Sequence, residues 1–291
     1  MAILITKSTK VLVQGITGTQ ASFHTKRALE YGTNVVAGVT PGKGGNEHLG
    51  VPIFNTVKEA VSATQATASL LFVPAKYAKS AIREGIENEI DTMVCITEGI
   101  PIKDMLEIRA MLKGSRTRLI GPNTPGVISP GKAKLGIGPE NIHRTGHIGI
   151  ISRSSTLTYE AVLETSRAGL GQSTVIGLGD DILIGTGFDD LLNLFHQDKE
   201  TKAIVIIGRM GGTYEEIGAD FYRKISNKKP VIGFVAGNAV PLGHKMGYAG
   251  DIITNGRITV QDKKQAMRES GITVVDNIND LHIELAKLGL K

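Results

Sequence analysis

The chain of 291 residues has a net charge of +5 and contains 36 glycines, no tryptophan and one cysteine, Cys95. It is long enough for two domains, and a single cysteine excludes an internal disulfide and fits a reducing compartment. No basic run interleaved with aromatic residues indicates nucleic-acid binding, and no long apolar span indicates a membrane segment. We therefore expect a soluble, cytoplasmic protein whose mild positive charge suits an anionic small ligand.

Short β-branched runs alternate along the chain with amphipathic stretches of helical length. Such βαβα alternation with short glycine-bearing turns predicts an α/β protein with parallel, doubly wound sheets. Ten runs would divide into two sheets of about five strands. A Gly- and Pro-rich connection, 123–146, separates a domain of residues 1–122 from one of residues 147–291. The runs are 11–13, 35–39, 69–73, 92–96, 118–120, 148–151, 174–178, 203–207, 231–235 and 272–275.

Ligands bind such sheets beyond the carboxyl ends of the strands, so the residues that follow each run are the candidate binding residues. The first run leads into GITG at residues 15–18, which lacks the full GxGxxG spacing and is weak alone. The second leads into a glycine-rich loop with Lys43, where an NAD enzyme would need a carboxylate. This loop suits phosphate, although a solvated surface loop is the alternative. Small or polar residues also follow the third and fourth runs, at Pro74-Ala75 and at 97–101. These four strand ends together favour a long, multiply phosphorylated ligand.

A second candidate site follows the run at residues 148–151. Ser152, Ser154, Ser155 and Thr156 come between this run and a helical pattern that carries Leu157. A strand, a hydroxyl-rich turn and a helix together aim free backbone N–H groups at an anion. An ordinary capped helix in a βα unit is the alternative.

Five stretches together resemble the α subunits of succinyl-CoA synthetases, and the similarity extends from Ile3 to the C-terminus almost without gaps. This resemblance implies a Rossmann-like CoA-binding domain followed by a flavodoxin-like, doubly wound ligase domain. It also implies a reaction in which an acid, CoA and a nucleoside triphosphate give acyl-CoA, the diphosphate and phosphate. The stretches are 13–20 (VQGITGTQ), 38–45 (GVTPGKGG), 96–101 (ITEGIP), 120–123 (IGPN) and 149–162 (GIISRSSTLTYEAV).

The resemblance also implies the site residues and the partners. Coenzyme A is the implied cofactor, a small carboxylic acid the implied substrate and a β-type subunit with an ATP-grasp domain the implied partner. Tyr159 would lie near the acyl substrate, and Ser154, Ser155 and Thr156 would bind phosphate. The implied CoA contacts are Thr17, Gly18, Thr19, Gln20, Lys43, Ile96, Thr97 and Glu98.

The departures from the family pattern concern its phosphoryl chemistry. Tyr248, in MGYAG at residues 246–250, stands where the family carries a phosphohistidine. A phenol is a poorer nucleophile than imidazole near neutral pH, and its phosphoester is a poorer donor. Arg209 stands where the family has a Glu beside that histidine, and an extra carboxylate occurs at Asp180-Asp181. Ser155 replaces a Gly and Thr124 a Cys. We predict that the phosphohistidine relay is lost.

Three functions remain open at this stage. The chain is a working α-type ligase subunit, a non-catalytic or regulatory CoA-binding paralogue, or an enzyme of this scaffold in which Arg209 binds an anionic substrate. His244 could stand in as a phosphoryl carrier, but a solvated side chain is the favoured interpretation. The acidic pairs Asp189-Asp190 and Glu215-Glu216 fit solvated helix faces. No residue spacing indicates a metal site.

Overall fold

A computed structural model describes residues 3–238 and 259–290. The chain forms two compact units. The N-terminal unit contains residues 4–138 and 183–185, and the C-terminal unit contains the described residues of 139–182 and 186–291 together with Ile3. Both units are α/β, as predicted. The predicted domain limits at residues 122 and 147 stay a prediction.

The N-terminal unit begins with short buried strands, each joined to the next through a helix or a turn. The first strand, β1, ends one residue before Gly15, whose φ of +79° turns the chain toward the first helix. The elements in chain order are β1 (Val11–Gln14), α1 (Thr19–Glu30), β2 (Val35–Val39), β3 (Glu47–His48), β4 (Val51–Phe54), α2 (Val57–Thr64), β5 (Ala68–Leu71), α3 (Ala75–Glu87), β6 (Thr92–Cys95), α4 (Ile102–Leu112), β7 (Arg118–Ile120), β8 (Gly126–Ser129) and β9 (Ala133–Gly136).

The first sheet has the strand order β3-β4-β2-β1-β5-β6-β7. Without β3, which pairs antiparallel to β4, its parallel strands follow the 3-2-1-4-5-6 order of Rossmann folds. The sheet has seven strands rather than about five, because the sequence pattern did not reveal β3 and β4. Pro52 in β4 weakens a strand pattern, and here it lies at the edge beside the two-residue β3, where proline is tolerated.

The segment predicted as a connection, 123–146, contains the antiparallel pair of β8 and β9. Gly126 and Gly136 face each other at the open end of this hairpin. A Cβ at Gly126 would lie 2.1 Å from the carbonyl oxygen of Leu135, and one at Gly136 would lie 2.2 Å from that of Pro125. Two glycines that resemble linker residues in the sequence therefore permit the close approach of two strands.

The C-terminal unit contains five parallel strands in the order β14-β13-β12-β10-β11. Numbered within the unit this is the 2-1-3-4-5 order of flavodoxin-like folds, in which the strand order reverses beside the first strand. That strand is β10. The elements are β10 (Thr145–Ser152), α5 (Ser155–Arg167), β11 (Gln172–Gly177), α6 (Phe188–Gln197), β12 (Ala203–Arg209), α7 (Tyr214–Lys224), β13 (Val231–Ala236), α8 (Val260–Glu269), β14 (Thr273–Val275), a 3₁₀ turn (Ile278–Asp280) and α9 (Leu281–Lys287).

Each unit has its own apolar core between sheet and helices. In the N-terminal unit Leu12 and Ile82 are fully buried in the core, and in the C-terminal unit Ile150 and Val162 are. Burying a side chain of this size contributes about 1.5–3 kcal/mol. Among the described helices, none combines the length and the apolarity needed to cross a membrane.

Gly149 shows how closely a helix packs on the second sheet. A Cβ at this position would lie 2.6 Å from Cδ1 and Cε1 of Phe195, in α6. We expect Gly149→Ala to lower the free energy of unfolding by about 1–3 kcal/mol, because the Phe195 ring must shift. In a Phe195→Leu background, where those ring atoms are absent, the same change should cost less. Urea unfolding of wild type, the two single variants and the double variant measures both costs. Equal costs in the two backgrounds would contradict the packing explanation.

Candidate functional site

The glycine-rich loop after β2 lies against the turn after β1. The ammonium of Lys43 donates a hydrogen bond to Oγ1 of Thr17 at 3.1 Å, and both groups are open to solvent. Gly18 is the N-cap of α1, and it has no side chain that could accept hydrogen bonds from the backbone N–H groups of the first turn. Thr19 and Gln20 lie in that turn. The backbone N–H groups at this helix start are therefore available to a ligand. Five of the predicted CoA contacts thus lie beside one another.

Asn55 organises this loop, and its role was not predicted from the sequence. Its Oδ1 accepts hydrogen bonds from the backbone N–H groups of Gly42 and Gly44, at 2.9 and 3.0 Å. The two bonds flank Lys43 and fix the backbone on both sides of it. Asn55 follows β4, a strand that the sequence pattern did not reveal. A side-chain amide next to a Gly-Lys-Gly loop in space leaves no signal in the linear sequence.

The remaining predicted CoA contacts follow β6, at the same edge of the first sheet. Thr97 donates its hydroxyl hydrogen to the carbonyl of Val73 at 2.6 Å, and Ile96 donates its backbone N–H to the carbonyl of Leu71 at 3.2 Å. Glu98 is exposed. Because β5 separates β6 from β1, these residues lie two strands away from the turn at Thr17. An extended ligand along this edge would reach both places.

Helix α5 begins at the carboxyl end of β10, where the strand order of the second sheet reverses. Ser154 is its N-cap, and the Ser154 hydroxyl accepts a hydrogen bond from the N–H of Leu157 at 3.3 Å. The Thr156 hydroxyl lies 3.4 Å from the Ser154 hydroxyl, and Ser155 is the first residue of the helix. Tyr159 lies one turn later, and burial raises the pKa of its hydroxyl. The predicted phosphate-binding residues and Tyr159 therefore share the first turns of one helix.

Arg209, the last residue of β12, forms a buried ion pair with Asp180, which follows β11. The two residues expose only 3% and 6% of their surface. Asp181, beside this pair, is also buried, and burial raises the pKa of its carboxyl although the N–H of Ile182 bonds to it. Arg209 and Asp180, which the sequence analysis considered separately, are thus partners in one contact.

Glu215 was predicted to lie on a solvated helix face, and this prediction is wrong. It is buried at the start of α7 and accepts bonds from Arg153 at 3.1 Å and from Lys263 at 2.5 Å. The backbone N–H of Arg209 also bonds to it, at 3.1 Å. Burial opposes its ionisation, but the charges of Arg153 and Lys263 and these hydrogen bonds outweigh burial and lower the pKa of Glu215.

Arg153, Glu215, Glu216 and Lys263 are called here the Glu215 network. Arg153 also donates to the carbonyl of Gly211 at 2.9 Å, and its guanidinium lies 5.2 Å from the ring centre of Tyr214. Lys263 donates to Glu216 at 3.1 Å. The network joins the turn before α5 to the starts of α7 and α8, so it fixes the backbone next to Ser154.

Tyr248 and His244, which the sequence analysis singled out, lie outside the described residues. Within residues 3–238 and 259–290, no group of three His, Cys, Asp or Glu side chains is placed to hold a metal ion.

Comparison with known proteins decides the family. A CoA binding domain family model matches residues 6–99, and a CoA-ligase family model matches residues 151–273. The succinate–CoA ligase (ADP-forming) subunit alpha of Aquifex aeolicus is 51% identical over 99% of this chain and 95% of its own length. The Staphylococcus aureus (strain Mu50) subunit is 49% identical over 99% of this chain and 96% of its own. This chain belongs to the succinate–CoA ligase alpha subunit family.

Solved structures support the fold. The structure of ATP citrate lyase from Methanothrix soehngenii in complex with citrate and coenzyme A has a TM-score of 0.90 at 22% identity, over 98% of this chain. A dinucleotide-forming acetyl-coenzyme A synthetase from Ca. Korarchaeum cryptofilum has a TM-score of 0.74 at 20% identity. This chain spans 50% and 59% of those solved chains. At these identities the likeness concerns the fold alone.

The Glu215 network makes a prediction for stability. Replacing Glu215 by Gln leaves Arg153 and Lys263 without their shared counter-charge, which should lower the free energy of unfolding by about 3–5 kcal/mol at pH 7. Because the pKa of Glu215 is lowered on folding from its ordinary 4.5, its charge stabilises the fold above that pH. The difference between wild type and variant should shrink as pH falls through the lowered pKa.

The matched control is Glu216→Gln, since Glu216 bonds only to Lys263 within the network and its side chain is 22% exposed. It should cost distinctly less than Glu215→Gln in urea unfolding measured from pH 3 to pH 8. Equal losses for the two variants, or a loss at Glu215 that does not depend on pH, would contradict the assigned role of Glu215.

Proposed function

We propose that this chain is the CoA-binding α-type subunit of an acyl-CoA ligase that acts with a β-type, ATP-grasp subunit. The reaction joins a small carboxylic acid to CoA while a nucleoside triphosphate is split to the diphosphate and phosphate. The observation that carries the proposal is the placement of Lys43 on Thr17 within a fixed glycine-rich loop, at the strand ends of a Rossmann-like unit. The relatives that match this chain over nearly their whole length are named as alpha subunits of such a ligase, which supports the proposal.

In this proposal CoA is a substrate rather than a cofactor, since its thiol becomes part of the product. Lys43 and the N–H groups at the start of α1 bind phosphate groups of CoA through charge-assisted hydrogen bonds. Thr17, Gly18, Thr19 and Gln20 line one part of the binding edge. Ile96, Thr97 and Glu98 line the other.

The C-terminal unit supplies the phosphoryl and acyl side of the reaction. The start of α5 binds a phosphate through its N–H groups and through the hydroxyls of Ser154, Ser155 and Thr156. Tyr159 stands one turn further along α5 and contacts the acyl substrate. Its hydroxyl remains protonated at neutral pH, because burial raises its pKa, so it acts as a neutral hydrogen-bond donor or acceptor.

We also propose that the phosphohistidine relay is absent from this chain. The proposal follows from the resemblance, in which Tyr248 matches the histidine position and Arg209 matches that of the glutamate. The buried Arg209–Asp180 pair supports this, because a guanidinium cannot accept the ring N–H bond that would fix a histidine tautomer. A ligase without the relay would have to pass the phosphoryl group to its acid by another route, and a binding or regulatory subunit would not pass it at all.

Lys43→Ala tests the CoA site. Loss of a charge-assisted contact to a phosphate should weaken CoA binding by about 1–3 kcal/mol, measured by calorimetry on the full chain. Lys103→Ala is the matched control, since Lys103 is an exposed lysine of the same unit on α4. It should leave the affinity for CoA unchanged. Equal CoA affinity in wild type and Lys43→Ala, or preferential binding of NAD, would rule out this site.

Phosphoprotein chemistry tests the loss of the relay. With a β partner and labelled ATP, the chain should yield no acid-labile, base-stable phosphoprotein, which is the signature of phosphohistidine. Tyr248→His alone should not restore it, because Arg209 would repel a protonated imidazole.

Tyr248→His with Arg209→Glu should restore some labelling, and adding Asp180→Gly should raise it further by removing a carboxylate beside the new glutamate. Strong histidine phosphorylation of the unmodified chain would refute the proposed loss, and His244→Gln would then test whether His244 is the carrier.

A further inference from the structure

The Arg209–Asp180 pair crosses the carboxyl end of β10. Ser152, the last residue of β10, pairs with Ile207 of β12 on one side and with Gly177 of β11 on the other. Arg209 follows Ile207 by two residues, and Asp180 follows Gly177 by three. Since their side chains meet, the ion pair spans the place where β10 turns into α5. It therefore lies beside the anion site proposed at the start of that helix.

Both charges are held away from water, which makes their interaction stronger than that of a surface pair. Guanidinium groups keep their positive charge in proteins. The charge that Arg209 presents to a neighbouring anion therefore depends on the carboxylate beside it. Two further cations of the described residues, Arg153 and Lys263, contact the carboxylates of the Glu215 network.

We propose that Asp180 sets the affinity of the α5 helix start for anions by occupying and neutralising Arg209. An anion at Ser154, Ser155 and Thr156 competes with Asp180 for this guanidinium. Asp180 is thus a specificity-determining residue that acts through Arg209. The inference rests on the proposed function, because it concerns regulation of the same anion site.

Asp181 provides the contrast within the same turn. Its carboxyl accepts a hydrogen bond from the N–H of Ile182 at 2.8 Å, and burial raises its pKa. Its carboxyl contacts this backbone N–H, whereas the carboxylate of Asp180 contacts the guanidinium of Arg209. If competition for Arg209 is what matters, Asp180 and Asp181 should respond differently to the same substitution.

Calorimetry of inorganic phosphate with the full chain at pH 7.5 tests the inference. Asp180→Asn should bind phosphate about fivefold more tightly or better, because it removes the carboxylate charge that faces Arg209 without changing side-chain shape. Asp181→Asn should change the affinity less than twofold. Arg209→Gln should also change it less than twofold, since Asp180 already neutralises Arg209 in the wild type. The double variant should match Arg209→Gln, because Asp180 affects the anion site through Arg209.

Several outcomes would overturn the inference. These are unchanged or weaker phosphate binding by Asp180→Asn, an equal gain from Asp181→Asn, and a tenfold loss in Arg209→Gln. A tenfold loss in Arg209→Gln would overturn the inference even if Asp180→Asn fails to fold, because Arg209→Gln removes the buried cation itself. Ser154→Ala and Thr156→Val distinguish failure of the anion site from failure of the role of Asp180. If neither variant weakens phosphate binding, the anion site at the start of α5 is wrong. If either variant weakens phosphate binding while Asp180→Asn has no effect, only the role of Asp180 is wrong.

Discussion

The candidate site of the C-terminal unit depends on one carboxylate that stays charged inside the protein. Glu215 accepts bonds from Arg153, from Lys263 and from the backbone N–H of Arg209. Burying it without those partners would cost several kcal/mol. With them, three separate segments are tied together: the turn before α5, the end of β12 and the start of α8. The N–H groups of α5 can bind an anion only while the backbone before Ser154 keeps its direction, and Arg153 provides that link.

The N-terminal unit solves a similar problem without buried charge. Its candidate phosphate cation, Lys43, is exposed and is oriented by a bond to Thr17. The loop around it is fixed by the neutral amide of Asn55. An exposed lysine retains its hydration until a ligand arrives, so it costs the fold little. The two units thus have different candidate anion sites. The site of the N-terminal unit has an exposed lysine, and the site of the C-terminal unit lies beside a buried charge network. That difference fits a polyphosphate tail on one unit and a small, closely held phosphate on the other.

Much of the fold could be predicted from the sequence, because runs of β-branched residues and the helices between them are local patterns. The handedness of βαβ connections restricts the possible strand orders but does not select one, since the two units have different orders. The β8–β9 hairpin could not be predicted in this way, because Gly126 and Gly136 resemble linker residues until their backbones meet. The burial of Glu215 was missed for a related reason. Its neighbours Arg153 and Lys263 lie 62 and 48 residues away in the sequence.

A similar distance in sequence hides the relation between Arg209 and Asp180. Arg209 alone would place an uncompensated cation in the interior, which costs several kcal/mol and is rarely retained. Asp180 alone would place an uncompensated carboxylate there, at a similar cost. Together they form one buried contact between residues 29 positions apart. Arg209 and Asp180 therefore compensate each other's buried charge, and either one without the other would destabilise the interior of this unit.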